Sequence, residues 1–257
     1  MERFQDRRII VTGGGSGIGQ ATVLRLLREA GTVHAVDVNA DGLEKTRAMA
    51  KEAGVDGRLS TAVLDVSDEA SVNEGVAETV ARLGGLDVLV NAAGILRAGH
   101  THTFSLDVWN QIININLTGT FLMTKAALPA LLETGEGAVI VNFSSTSAAF
   151  AHPYMAAYAA SKGGIDAFTH AIALEYSRQG LRALCVAPGS ISSGIVDDTP
   201  NQVPEDAEWE LFGKLMPIIG EGMAHPDVIA GMIAALASED GKFVTGTTLR
   251  IDGGTHA

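Results

Sequence analysis

The chain predicts an α/β fold, a doubly wound parallel sheet of about seven strands with helices on both faces, in a single domain spanning residues 1–257. Three observations carry this. Short, near-continuous apolar runs alternate with helical segments along the whole sequence; the first run ends in a glycine-rich turn, and the second ends in a carboxylate. Runs that are apolar throughout belong to parallel strands covered on both faces. Right-handed crossovers then wind helices onto both sides. No proline-rich or charged linker interrupts the 257 residues, a length that one large core can hold.

The first strand, Arg8 to Val11, ends at Thr12. GGGSGIG follows, and then QATVLRLLREAG, helical in pattern and stopped at Gly31. A strand, a glycine turn and a helix in that order aim free backbone N–H groups, with the helix dipole behind them, at a pyrophosphate. The next run, TVHAVDV, carries Asp37 near its end. An acid roughly 20 residues past a glycine turn is where a dinucleotide fold holds ribose hydroxyls. The glycines at 13, 17 and 19 depart from the literal G-x-G-x-x-G spacing.

Alternation continues through a helix near Asp41 to Ala53, the run RLSTAVLDV, a helix from about Asp68 to Leu83 and the run LDVLVNAAG. A long helical segment from about Leu106 to Leu132 leads to GAVIVNFSS. A helix through Tyr158 and Lys162 to about Arg178 leads to LRALCVAPG. Ligands of such sheets sit outside the carboxyl ends of the strands. Those ends carry Gly13, Asp37, Asp65, Asn91, Ser145 and Pro188. After Pro188-Gly189 the pattern lapses, and a loop this long inside a compact domain reads as functional. Residues of about 190–225 are therefore expected to form a substrate lid with a short helix, apolar through Trp209, Leu211, Phe212, Leu215, Met216 and Ile218. The lid is strongly acidic, with seven carboxylates against one lysine. A final helix, Asp227 to Ser238, and the run TTLRIDGG close the fold.

A formal charge of −12 argues against nucleic acid or an anionic membrane surface as main partner. No run reaches the roughly 18 apolar residues of a membrane span, and the opening MERFQDRRIIVTGG has no apolar segment of signal-peptide length. The expected compartment is the cytoplasm. A lone cysteine, Cys185, excludes an intramolecular disulfide and, placed between Leu184 and Val186, reads as buried and unreactive. His100 and His102 lack an accompanying acid or cysteine cluster and read as rim or solvent residues, not metal ligands.

Chemistry concentrates between Ser145 and Lys162. Tyr158 and Lys162 are four apart, so on a helix they sit one above the other. Ser145 stands at the end of a strand, and a strand end and a helix face can meet at one point.

Together these residues resemble the short-chain dehydrogenase/reductase family over essentially the whole chain. Thr12-Gly13-Gly14-Gly15-Ser16-Gly17-Ile18-Gly19 matches its cofactor turn, Asp65-Val66 its adenine site and Asn91-Ala92-Ala93-Gly94 its central-strand motif. Asn116 in INLTGTF, Ser145, Tyr158-Ala159-Ala160-Ser161-Lys162 and Pro188-Gly189 complete the match. A lone Y-x-x-x-K is weak; seven motifs in the family's order and spacing are specific. Ala92 departs from the family, which usually has a second asparagine there. The resemblance implies a Rossmann-type sheet, nicotinamide-dependent oxidation of alcohols or reduction of carbonyls, and a homotetramer. It implies a catalytic set of Asn116, Ser145, Tyr158 and Lys162. It also implies cofactor contacts from Gly13, Ser16, Gly17, Ile18, Gly19, Asp65, Val66, Asn91, Ala93, Gly94 and Gly189, as well as from Tyr158 and Lys162. Pro188, Ile191 and Ser193 are expected against the nicotinamide and its carboxamide.

A free tyrosine, with a pKa near 10, is a poor base at neutral pH. Lowering it by about three units takes roughly 4 kcal/mol, and a positive charge about 4 Å away contributes roughly that at an effective dielectric near 20. Lys162 is therefore expected to bring Tyr158 down, with an oxidised, cationic nicotinamide adding to its effect. Ser145 is expected to donate to the substrate oxygen, beside the rival reading of a helix cap. Asn116, by resemblance, holds a water linking Lys162 to solvent; Asn114 competes, and Asn116 is preferred because it directly precedes Leu117-Thr118-Gly119. Gly163 and Gly164 in mid-helix cost roughly 1 kcal/mol each against alanine, which implies close backbone packing there.

Asp37 is expected to bond both ribose hydroxyls of NAD and to repel the 2′-phosphate of NADP. Ser16 stands where NADP-preferring relatives often carry a basic residue, so the expected cofactor is NAD. The leading function is an NAD-dependent dehydrogenase of a secondary alcohol, or the reverse carbonyl reduction. A 3-oxoacyl-[acyl-carrier-protein] reductase is the nearest alternative, disfavoured by the acidic lid and by Asp37. A non-catalytic dinucleotide sensor ranks below it because Ser145, Tyr158 and Lys162 are all present. Ala149, His152, Met155, Trp209, Phe212 and Met216 suggest a mixed, largely apolar substrate pocket.

Overall fold

The computed structural model describes residues 2–192, 203–220 and 222–257. Its strands are β1 (Arg8–Thr12), β2 (Thr32–Asp37), β3 (Leu59–Val63), β4 (Val88–Asn91), β5 (Val139–Phe143), β6 (Arg182–Pro188) and β7 (Thr248–Ile251). All are parallel and lie in the order β3-β2-β1-β4-β5-β6-β7. This is the seven-stranded Rossmann-type sheet.

The strands are apolar at every position because both faces are covered. Ile9, Val11, Val90 and Val141 face one layer, packed with Leu24 and Leu27 of α1 (Gly17–Arg28) and Ile229 and Ile233 of α7 (Pro226–Ala237). Ile10, Leu89 and Ile140 face the other, packed with Val72 of α3 (Glu69–Leu83), Met123 and Leu131 of α5 (Gly119–Thr134) and Ile172 of α6 (Ala156–Glu175). Full burial of such a side chain contributes about 1.5–3 kcal/mol, so the period-two alternation within each strand feeds two cores at once.

Local chemistry sets the helix ends. Asn39 caps α2 (Ala40–Glu52) by accepting from Gly42 N at 3.0 Å, and Asp68 caps α3 by accepting from Ala70 N at 2.8 Å. α3 stops at Gly84, whose φ of 74° is the left-handed geometry of a C-cap. The helix after β5 ends at Glu175, short of the expected Arg178, and passes into a 3₁₀ turn over Ser177–Gln179.

The long segment expected as one helix is in three parts: α4 (Leu106–Ile112), a π-helical turn (Ile113–Thr118) and α5. Taken together, Leu106–Thr134 is long and apolar enough to cross a membrane by length and composition, although no sequence run met the apolar threshold. Here its Leu122, Met123, Ala127 and Leu131 are buried in the second core.

Candidate active site

The strand order reverses between β1 and β4, and a crevice of about 540 Å³ opens there, along the carboxyl ends of the strands. One end is built by the glycine turn. Gly13 has φ +68° and lies so close to β4 that a Cβ would stand 2.9 Å from Ala93 N; a Cβ on Gly19 would stand 2.1 Å from the Gly13 carbonyl oxygen. The turn is thus folded onto itself and onto the sheet. Ser16 does not cap α1 with its side chain, which leaves that helix end to a ligand, and Gly13, Ser16, Gly17, Ile18 and Gly19 all line the crevice. At the end of β2, the Asp37 carboxylate accepts from Gly15 N and Asn39 N, each at 2.9 Å. These two backbone donors hold it beside the glycine turn. Asp65 and Val66 form the adjoining wall, together with Val38 and Leu64. The latter two are strand-end neighbours of Asp37 and Asp65 that the motifs alone did not single out. A glycine-walled cradle at a helix N-terminus beside a fixed carboxylate fits a dinucleotide's pyrophosphate and adenosine ribose.

Beyond this end, Ala93, Gly94, Pro188, Gly189 and Ile191 line the crevice as expected, and Ser193 lies outside the described residues. Two expected contacts are placed differently. Asn91 does not line the crevice: its side chain turns into the sheet, donating to Asn142 Oδ1 at 2.8 Å and Thr124 Oγ1 at 3.2 Å. Asn142 in turn donates to Thr169 Oγ1 at 2.8 Å, and the Cys185 thiol, its pKa pushed up to about 12 by burial, donates to the same hydroxyl at 3.2 Å. These side chains on β4, β5, β6, α5 and α6 form a buried polar seam, because strand alternation turns position 91 inward.

Asn116 is also outside the lining. It is fully buried in the π-helical turn, whereas Asn114 is exposed. Its Oδ1 accepts from Ile95 N at 2.8 Å, and its Nδ2 donates to Ile95 O at 2.9 Å and Ser161 Oγ at 3.1 Å. The side-chain amide therefore clamps the chain beside Gly94, where a Cβ would meet both Asn116 Oδ1 (3.2 Å) and Lys162 Nζ (3.7 Å).

Ser145, Tyr158 and Lys162 do converge. The Ser145 hydroxyl accepts from Ser147 N at 3.2 Å, capping the 3₁₀ turn Thr146–Ala148. That leaves its O–H to donate, and it faces the Tyr158 phenol, whose ionised form it favours. Lys162 Nζ lies 5.6 Å from the Tyr158 ring centroid and donates to the Phe143 carbonyl at 2.7 Å. The electrostatics reverse one expectation. Burial is the largest effect on both groups, pushing the phenol up to about 12 and the ammonium down to about 8. Lys162 Nζ stands 5.6 Å from the ring centroid, and its charge does not overcome that burial, so the phenol lies above its ordinary value. Gly164 packs against Leu117 of the π turn (2.7 Å from a built Cβ), whereas Gly163 meets nothing closer than Ala148 O at 4.0 Å. Close packing accounts for one of the two glycines.

Over the other end lie His152, Met155, Trp209, Phe212, Leu215 and Met216, as expected, with Leu96, Thr146, Val203 and Met223 in addition; Ala149, Leu211 and Ile218 are not in the lining. A 3₁₀ helix over Trp209–Leu215 carries part of this cover. The lid reading also spans 193–202 and 221, which lie outside the described residues. His100 and His102 do not line the crevice: His100 Nε2 lies 2.9 Å from Asp206 Oδ1, and its ring packs edge-on against Tyr154. Tyr154 Oη accepts from Glu208 N at 2.9 Å, which ties the cover to the loop before α6. Among the described residues there is no cluster of three metal-ligating side chains.

Comparison with known proteins agrees with this fold. Residues 13–256 match the family described as enoyl-(acyl carrier protein) reductase. The chain is 38% identical to levodione reductase from Leifsonia aquatica, over 99% of this chain and 96% of that one. It is 34% identical to the 3-oxoacyl-[acyl-carrier-protein] reductase FabG of Thermotoga maritima, over 98% of each. Among solved structures, that of a levodione reductase superposes with a TM-score of 0.90 at 34% identity over 98% of both chains. A dehydrogenase/reductase from Sinorhizobium meliloti superposes with 0.87 at 30% identity, over 100% of this chain and 98% of that one.

Proposed function

The chain belongs to the short-chain dehydrogenase/reductase family, whose members move a hydride between a dinucleotide and an alcohol or carbonyl, and on that footing we propose that it is an NAD-dependent oxidoreductase of a secondary alcohol or ketone. One observation carries the reading: Ser145, Tyr158 and Lys162 meet in the crevice whose other end holds the glycine turn and Asp37. A bound nicotinamide supplies or accepts the hydride. The chain's residues handle the oxygen and its proton. In the direction of reduction the half-buried phenol, neutral at physiological pH, donates its proton to the carbonyl oxygen, while the Ser145 O–H holds that oxygen in place. In the direction of oxidation the phenol has to lose its proton first. The Lys162 ammonium favours that loss, and an oxidised, cationic nicotinamide would add to its effect. Asn116 holds the Ile95 backbone through its side-chain amide, and its role in this reading is to hold a water that links Lys162 to solvent.

Tyr158→Phe should lower turnover of a secondary alcohol by about a hundredfold or more, with NAD binding retained. Unchanged turnover in that variant would sink the catalytic reading and favour a dinucleotide sensor. The NAD preference is supported by the Asp37 carboxylate, held at the ribose end by Gly15 and Asn39 with no basic side chain at Ser16. Asp37→Ala should raise the ratio of NADP to NAD efficiency by about tenfold or more; equal use of both cofactors by wild type would overturn the preference. The Thermotoga maritima relative favours a second reading, a 3-oxoacyl-[acyl-carrier-protein] reductase. An acidic cover opposes it, since that partner is itself acidic, and turnover of an acyl-carrier-protein thioester would favour it. The same reading includes a lid over about 190–225, a cytoplasmic location and a homotetramer. Exposed Phe121 and Leu174 on α5 and α6 support the tetramer, and light scattering tests it.

A further inference from the structure

The end of the crevice away from the glycine turn is poor in charge. Among the described lining residues Lys162 is the one basic side chain, and it is engaged with the Phe143 carbonyl. A carboxylate, phosphate or sulfonate on the substrate would meet no free counter-charge among these described residues, at a heavy desolvation cost. The surroundings are apolar through Leu96, Met155, Trp209 and Phe212. Set into this wall is one imidazole, on the loop between Ser145 and Tyr158. His152 Nε2 lies 3.2 Å from Thr146 Oγ1, and no partner to Nδ1 is found among the described residues. Burial first, and then the neighbouring His256, hold its pKa down to about 4. It is therefore neutral and offers one N–H and one lone pair. His256 is itself stacked on Phe150, ring centroids 4.1 Å apart, with Arg250 5.1 Å over the Phe150 ring, so the loop carrying the imidazole is braced from behind.

We propose that His152 determines specificity by hydrogen-bonding a second oxygen, carbonyl or hydroxyl, of an uncharged and otherwise apolar ketone or alcohol; the proposal rests on the oxidoreductase reading of this site. A substrate carrying both oxygens pairs one with Ser145 and Tyr158 and the other with His152. An analogue lacking the second oxygen leaves a polar group of the wall unpaired.

The test compares cyclohexane-1,4-dione with cyclohexanone, each reduced with the preferred reduced nicotinamide cofactor, in wild type and in His152→Leu, His152→Gln and Thr146→Val. The readout is the ratio of kcat/KM for dione to monoketone, which cancels effects common to both. The ratio should fall at least tenfold in His152→Leu, through KM for the dione. It should stay within a few fold of wild type in His152→Gln, which retains a hydrogen-bonding amide. Thr146→Val, which only releases the ring, should lower it by a smaller factor and keeps the test alive if His152→Leu does not fold. An unchanged ratio in these variants alongside intact monoketone turnover would overturn this inference alone. No turnover of either ketone by folded wild type that binds the cofactor would overturn the oxidoreductase reading and this inference with it.

Discussion

Lys162 Nζ is buried, donates to the Phe143 carbonyl at 2.7 Å and faces the Tyr158 ring at 5.6 Å. Burial lowers its pKa from 10.5 to about 8, so keeping it charged at pH 7 costs the native state about 3 kcal/mol. That cost is present below pH 8 and is relieved as pH rises from 8 to 10.5, where the unfolded chain binds the extra proton. Lys162→Met removes the charge and a charge-assisted hydrogen bond to the Phe143 carbonyl worth about 1.5–3 kcal/mol. The variant should therefore unfold with about 0–1.5 kcal/mol more stability at pH 7 while turnover falls by about a hundredfold or more. Urea unfolding with steady-state kinetics checks both, and a destabilised variant would contradict the account. The spacing of Tyr158 and Lys162 was legible in the sequence because a helix repeats every 3.6 residues. Their protonation energetics were not, because burial depends on everything packed around them.

The glycine turn between β1 and α1 is the element on which the proposed cofactor binding rests. A Cβ on Gly19 would lie 2.1 Å from the Gly13 oxygen, a contact that the turn cannot relieve without moving. Gly19→Ala should destabilise the fold by about 1–3 kcal/mol and raise the dissociation constant for NAD far more than that loss explains, measured by calorimetry with thermal unfolding. In α6 the two adjacent glycines separate cleanly. Gly163→Ala meets only Ala148 O, at 4.0 Å, and should stabilise by about 0.5–1 kcal/mol, whereas Gly164→Ala drives a methyl against Leu117 and should destabilise. Equal effects at both positions would show that the π turn does not pack as described. Strands, caps and the alternation of elements were legible, since each is set by local pattern. The π turn was not, because its wider helical winding places Asn116 inward through contacts with Ile95 and Ser161, far off in sequence.

Across the whole molecule, two buried imidazoles link stability to pH. His34, bonded through Nδ1 to Ser60 at 2.7 Å, and His152 both have pKa values lowered from 6.5 to about 4, chiefly by burial. Between these values the unfolded chain binds more protons than the folded one, so stability falls as pH drops from about 6.5 to 4. From pH 7 to pH 5 each contributes a loss of about 2 kcal/mol. Denaturant unfolding at the two pH values should show it, and His34→Gln should remove about half. The depressed carboxylates do not share this window. Asp87, paired with Arg8, and Glu29, paired with Arg3 and Arg25, lose their stabilising contribution only further into acid. A flat profile from pH 7 to pH 5 would show that these rings are not as enclosed as the fold makes them.

The sequence by itself determined the Rossmann-type sheet, the glycine turn, Asp37 at the end of β2 and the Ser145–Tyr158–Lys162 spacing. Each depends on the period of a helix or strand or on the stereochemistry of glycine, which act over a few residues. Tertiary structure decided what those residues face. It turned Asn91 into a buried seam, made Asn116 a clamp, reversed the expected shift at Tyr158 and set a neutral His152 in the crevice wall. These outcomes come from desolvation and from partners tens of residues apart, and neither is a property of local sequence.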